Sequence, residues 1–128
     1  MHDRGGAGRV VVMKRTILSV ALLLVLAGCN QPSRPSDEQL ASFKPADARL
    51  AALYVQSCKA CHANANSGAP LVHDPAAWEA RWAKGLPMLV DHAIVGFQAM
   101  PAGGQCAACT AKDYEGLIRF MADHEGTP

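Results

Sequence analysis

Five consecutive residues, Cys58-Lys59-Ala60-Cys61-His62, restrict this chain more than any other part of it. Two cysteines three apart, with a histidine straight after the second, need a chemical account. The candidates are a zinc ion, a redox-active disulfide, a covalently held haem, or coincidence. The chain's own content of cysteine and histidine makes coincidence rare. A structural zinc site takes four ligands, usually two such pairs. Cys106 and Cys109 form a second Cys-x-x-Cys, so zinc stays open. A thioredoxin-like pair belongs in a βαβ context, and no segment here alternates as a strand. Covalent haem fits best. Two intervening residues match the spacing of the porphyrin vinyl groups, and His62 then lies under the iron as the proximal ligand.

A fifth cysteine, Cys29, belongs to a different feature. Lys14 and Arg15 precede an apolar run from Ile17 to Ala27, broken only by Ser19. That run is well short of the ~20 residues a membrane-spanning helix needs. Leu26-Ala27-Gly28-Cys29 closes it, and the whole resembles a bacterial lipoprotein signal over residues 1–28. Small residues admit the scissile bond to a peptidase, and the Cys29 sulfur takes the lipid. Residues 1–12 read as an extension upstream of the true start at Met13. Asn30 follows the cysteine where a retention signal would have Asp, which favours the outer membrane. Residues 29–44, rich in Pro, Ser and charge, read as a flexible tether.

Beyond the leader, residues 29–128 carry eight bases and ten acids. A body so near neutral gives no support for nucleic-acid binding. The domain expected over 45–128 is all-α. Pro45 suits a first helical turn, and Ala46, Leu50, Leu53, Tyr54 and Ser57 follow at helical spacing up to Cys58. Asp74-Pro75 opens a helix bearing Trp78 and Trp82, and Pro87 opens another. Thr110 and Asp113 form a capping box for the last helix, with Tyr114, Leu117, Ile118 and Met121 along one side. Aromatic residues are only 5% of the chain, so a core this small gains from an apolar cofactor.

The order Cys-x-x-Cys-His, Gly68-Ala69-Pro70, Trp78, Arg81, Met100-Pro101, Cys106 and Cys109 resembles the cytochrome c5 group of class I c-type cytochromes, from Leu50 to about Met121. The resemblance implies the class I cytochrome c fold, with short helices around one covalent haem c held by Cys58 and Cys61. It implies His62 and Met100 as axial iron ligands, with the Pro70 carbonyl orienting His62. Trp78 and Arg81 match a Trp-x-x-Arg near the haem and its propionates, and Cys106 and Cys109 match a disulfide. Met100 lies in a glycine-bracketed loop where Pro101 biases it to extended backbone. His73 stands where the group often has glycine. Gly116, inside the last helix, suits the close crossing of first and last helices in this group.

The function so implied is a monohaem electron carrier and not an enzyme. It would be lipid-anchored in the cell envelope, facing the periplasm. Its partners would be redox proteins such as a respiratory complex, an oxidase or a reductase. The rival readings are a haem enzyme or gas sensor with a labile sixth ligand, and a zinc-binding structural lipoprotein. His92 and His124 read as surface histidines.

Overall fold

The computed structural model describes residues 33–126. The expected leader and Cys29 lie outside the described residues. Helices and turns make up the described part, and it contains no strand. An isolated antiparallel bridge joins Phe97 to Met100.

The ordered body starts earlier than composition suggests. Helix α1 (Asp37–Ser42) is closed by a full capping box. The Ser36 hydroxyl accepts the Gln39 N–H, and the Gln39 side chain accepts the Ser36 N–H. Leu40 on this helix is completely buried. Phe43, just after it, packs on the His73 ring at 4.3 Å. Lys59 Nζ donates to the Ala41 carbonyl, 2.7 Å away, at the helix's C-terminal end. The tether expected over 29–44 is therefore corrected: from Ser36 onward the segment is helix and docked loop. Its polar composition is real, but one leucine in a ready-made slot outweighs it.

Helix α2 (Ala48–Leu53) begins one turn later than expected. Asp47, not Pro45, starts it, because the Asp47 carboxylate accepts the Leu50 N–H at 2.8 Å. Pro45 is buried ahead of the helix and Ala46 is exposed. The rod runs on through a π-helical turn (Tyr54–Cys58) into α3 (Lys59–His62). There the Lys59 N–H reaches back five residues to the Tyr54 carbonyl. The buried Ser57 hydroxyl donates to the Leu53 carbonyl at 2.5 Å. A π turn rotates the helix after it relative to the helix before it, and such turns cluster at functional sites. Here it re-aims the cysteine–histidine motif relative to the stripe of α2.

Helix α4 (Pro75–Trp82) is capped by Asp74 with Pro75 at its start, and α5 (Leu86–Val95) follows Gly85. A 3₁₀ turn (Ala102–Gln105) leads to α6 (Ala111–Met121), which opens on the expected Thr110–Asp113 box. Tyr114, Leu117, Ile118 and Met121 are all buried, with Phe120 beside them. Helices α2 and α6 cross closely. A Cβ at Gly116 would sit 2.7 Å from Leu50 Cδ1, so the missing side chain makes room for the crossing. Arg49 fastens it, with Nε and Nη2 donating to the two Asp113 oxygens at 3.0 and 2.9 Å.

Candidate haem site

The motif sits at the end of the rod. Cys58 is half-buried, Cys61 exposed, and both thiols are free. Burial raises the Cys58 thiol above its ordinary value. His62 is only 6% exposed. Its Nδ1 lies 2.7 Å from the Pro70 carbonyl. A carbonyl cannot donate, so the ring proton sits on Nδ1 and the Nε2 lone pair is left for a metal. Burial pushes the imidazole below its ordinary basicity, against the Pro70 hydrogen bond, and the Arg81 charge adds to the lowering. The net direction favours the neutral ring, the form a metal ligand takes.

The loop after the motif is pinned at three adjacent residues. Pro70 accepts from His62, and the Val72 N–H donates to the His62 carbonyl at 2.8 Å. The Trp78 indole N–H donates to the Leu71 carbonyl at 2.7 Å. The Trp78 ring stacks toward His62, with centroids 6.0 Å apart. Its N–H is therefore committed to the protein, and Trp78 serves the site as a wall and a brace. The Arg81 guanidinium turns back to the Ala77 carbonyl, one turn earlier.

Met100 is carried by a tight loop. Phe97 and Met100 exchange backbone hydrogen bonds of 3.1 and 2.9 Å. Gly96 makes this possible. Its φ of 91° suits glycine, and a Cβ there would meet the Ala102 nitrogen at 3.0 Å and the Met100 carbonyl at 3.2 Å. A Cβ at Gly104 would come 2.8 Å from Met100 Cε, so the side chain lies over that glycine. The Tyr114 hydroxyl is within hydrogen-bond reach of the Gly103 and Cys106 carbonyls, at 2.9 and 3.2 Å. Cys106 and Cys109 form a disulfide with Cα atoms 5.4 Å apart. That bond removes the second thiol pair a zinc site needs. Among the described residues no three His, Cys, Asp or Glu side chains gather to hold a metal.

His73 and the two outer histidines pack on aromatic rings. His73, at φ 56°, lies between Phe43 and Phe120. His92 stacks on Phe97 at 4.0 Å, and His124 on Trp82 at 4.1 Å. Sequence reasoning missed the π turn, the slot around His73 and the destination of the Trp78 N–H. None has a local signal. The His73 slot is made by Phe43 and Phe120, far along the chain, while the other two partners are close in sequence but follow no residue pattern.

Two free thiols three apart and a buried histidine whose Nδ1 is committed to Pro70 suit a covalent iron porphyrin. Comparison with known proteins agrees. Residues 45–121 match the family described as "Cytochrome C oxidase, cbb3-type, subunit III". A cytochrome c5 of Ectopseudomonas mendocina is 36% identical over 72 residues, covering 55% of this chain and 83% of its own. The chain belongs to the class I c-type cytochromes. A cytochrome c-555 of Chlorobaculum thiosulfatiphilum is 42% identical over 74 residues, covering 55% of this chain and 86% of its own. Among solved structures, the cytochrome is similar to a chain of "Crystal structure of electron transfer complex of nitrite reductase with cytochrome c". The TM-score is 0.54 at 29% identity, over 61% of this chain and 95% of that one. Members of the family carry haem c covalently and transfer electrons, and the cytochrome is a monohaem carrier of this kind.

Proposed function

We propose that the cytochrome carries its haem c on Cys58 and Cys61, ligated by His62 and Met100. On this reading it shuttles single electrons between redox proteins from a lipid anchor at Cys29. Haem c supplies a one-electron iron couple. The chain's residues do the rest. Pro70 aims His62, Trp78 and Leu71 hold the loop behind it, and the Gly96–Gly104 loop presents Met100. Arg81 places a positive charge close to His62. Two protein ligands leave no open coordination position, which favours electron transfer over catalysis on small molecules. The observation that carries the reading is the His62–Pro70 hydrogen bond directly after two free thiols.

The anchor rests on Leu26-Ala27-Gly28-Cys29 behind a short apolar run, and among the described residues no helix is long and apolar enough to cross a membrane. A lipid on an exported Cys29 puts the domain on the periplasmic side, with Asn30 favouring the outer membrane. Donor and acceptor would be a respiratory complex and an oxidase or reductase. Such contacts are small and short-lived. The visible spectrum of the natively matured, reduced protein tests the haem assignment. A six-coordinate His/Met spectrum with haem resistant to acid-acetone supports it. Haem lost to acid-acetone, or a ferrous form that binds carbon monoxide at once, rejects it. Mass spectrometry of the mature N-terminus tests the anchor, and an unlipidated terminus away from Cys29 rejects that part.

A further inference from the structure

Helix α1 and its flanks lie ahead of residues 45–121, the part that matches the family. Four contacts hold this segment down. Leu40 is wholly buried, Phe43 packs at a tilt against His73, and Lys59 holds the Ala41 carbonyl. Ahead of the helix, Arg34 Nη2 donates to the Ala65 carbonyl at 3.4 Å, three residues beyond His62. A six-residue helix has no stability of its own, so these contacts are the reason it exists.

We propose that residues 34–43 form a strap that shortens the lipid leash and turns the Ala65 flank of the cytochrome toward the membrane. The proposal rests on the anchoring of Cys29. Arg34 lies five positions after Cys29, a stretch that at full extension reaches about 17 Å. Were the segment free up to Pro45, sixteen residues would reach roughly 55 Å. The docked strap thus removes about two thirds of the reach. Chain leaves the domain beside the loop that follows the haem motif, so that flank is the one held nearest the lipid. A carrier on so short a leash meets partners lying in the same bilayer by lateral diffusion. It does not span to a facing membrane.

The test uses the full lipidated, haem-loaded protein on phosphatidylethanolamine–phosphatidylglycerol vesicles bearing a headgroup fluorophore, with haem as energy acceptor. Two variants are compared with the parent. Leu40→Ser/Phe43→Ser releases the strap. An insertion of ten Gly/Ser residues before Arg34 lengthens the leash and leaves the strap docked. Energy transfer to haem is expected to fall by about half in the insertion variant, since the added coil spans roughly 17 Å. The released variant should match it. Hydrogen exchange should show residues 37–43 protected in the parent and insertion variants only, and an unchanged haem spectrum shows that each variant is folded. Vesicle-bound protein with equal transfer in all three overturns the leash. Unprotected residues 37–43 in the parent overturn the strap. Protein that fails to float with the vesicles overturns the anchoring, and the leash with it.

Discussion

Asp113 serves two tasks with one carboxylate. It accepts both donors of Arg49, and it accepts the Thr110 N–H and hydroxyl at 2.8 Å each. The Arg49 guanidinium, then the Thr110 donors, hold its carboxyl well below the usual carboxylate range. A depressed value means that the folded state binds the proton less readily than the unfolded one. Its stabilisation is therefore complete above about pH 4 and is lost as pH falls through the folded value. Asp113→Asn should lower the melting temperature at pH 7, and the gap to the parent should narrow below about pH 4. A gap that stays constant with pH counts against the ion pair as its source. Met100→Ala is the matching experiment at the haem. The variant should bind carbon monoxide in its ferrous form and show a lowered reduction potential. A variant that keeps a methionine-ligated spectrum places the ligand elsewhere.

Among the elements, what could be read in advance was what is local. The Asp74-Pro75 start and the Thr110–Asp113 box are three- or four-residue patterns, and both occur as expected. Ser36–Gln39 is the same kind of pattern, and the Pro- and Ser-rich composition around it concealed it. The π turn was invisible, because a bond from Lys59 to Tyr54 depends on how α2 and the motif pack, not on the five residues within it. At the site, the thiols and histidine were legible from spacing. The family resemblance pointed to Pro70, whose carbonyl does meet His62, and to Met100 as a ligand; the Leu71 partner of Trp78 came from neither. The glycines separate two kinds of constraint. Gly116→Ala meets only the mobile end of Leu50 and gains about 1 kcal/mol of helix propensity, so its net effect should be small. Gly96→Ala meets backbone on two sides at a positive φ, and should cost more than the roughly 1 kcal/mol typical of a point change. Denaturant melts of the two variants check this. Equal losses would mean that the Met100 loop yields as easily as Leu50 does.

Taken as a whole molecule, the domain buries residues in two structural contexts. Leu117 and Leu40 are both almost wholly enclosed. Leu117 lies on α6, among residues that cannot leave without unfolding. Leu40 lies on the six-residue α1, which the proposed strap treats as a separate unit held by a few contacts. Leu117→Ala should therefore cost the usual 2–5 kcal/mol of a core truncation. Leu40→Ala should cost less globally and appear instead as faster amide exchange confined to residues 37–43. Equal global losses would make α1 part of the cooperative core.

The crossing of α2 and α6 has a consequence for how the protein is made. Arg49 and Asp113, the pair that fastens it, are 64 residues apart. His73 is likewise held by the Met121 carbonyl, at 2.8 Å. Contacts of such separation form late, because the loop between them must close first. If the chain is exported N-terminus first, as the proposed anchor requires, Cys58, Cys61 and His62 emerge well before Asp113. During that interval the thiols stand in an open chain, reachable by whatever attaches the cofactor. On that reading α6 arrives last and closes the fold, so the far end of the chain would time a reaction at its middle.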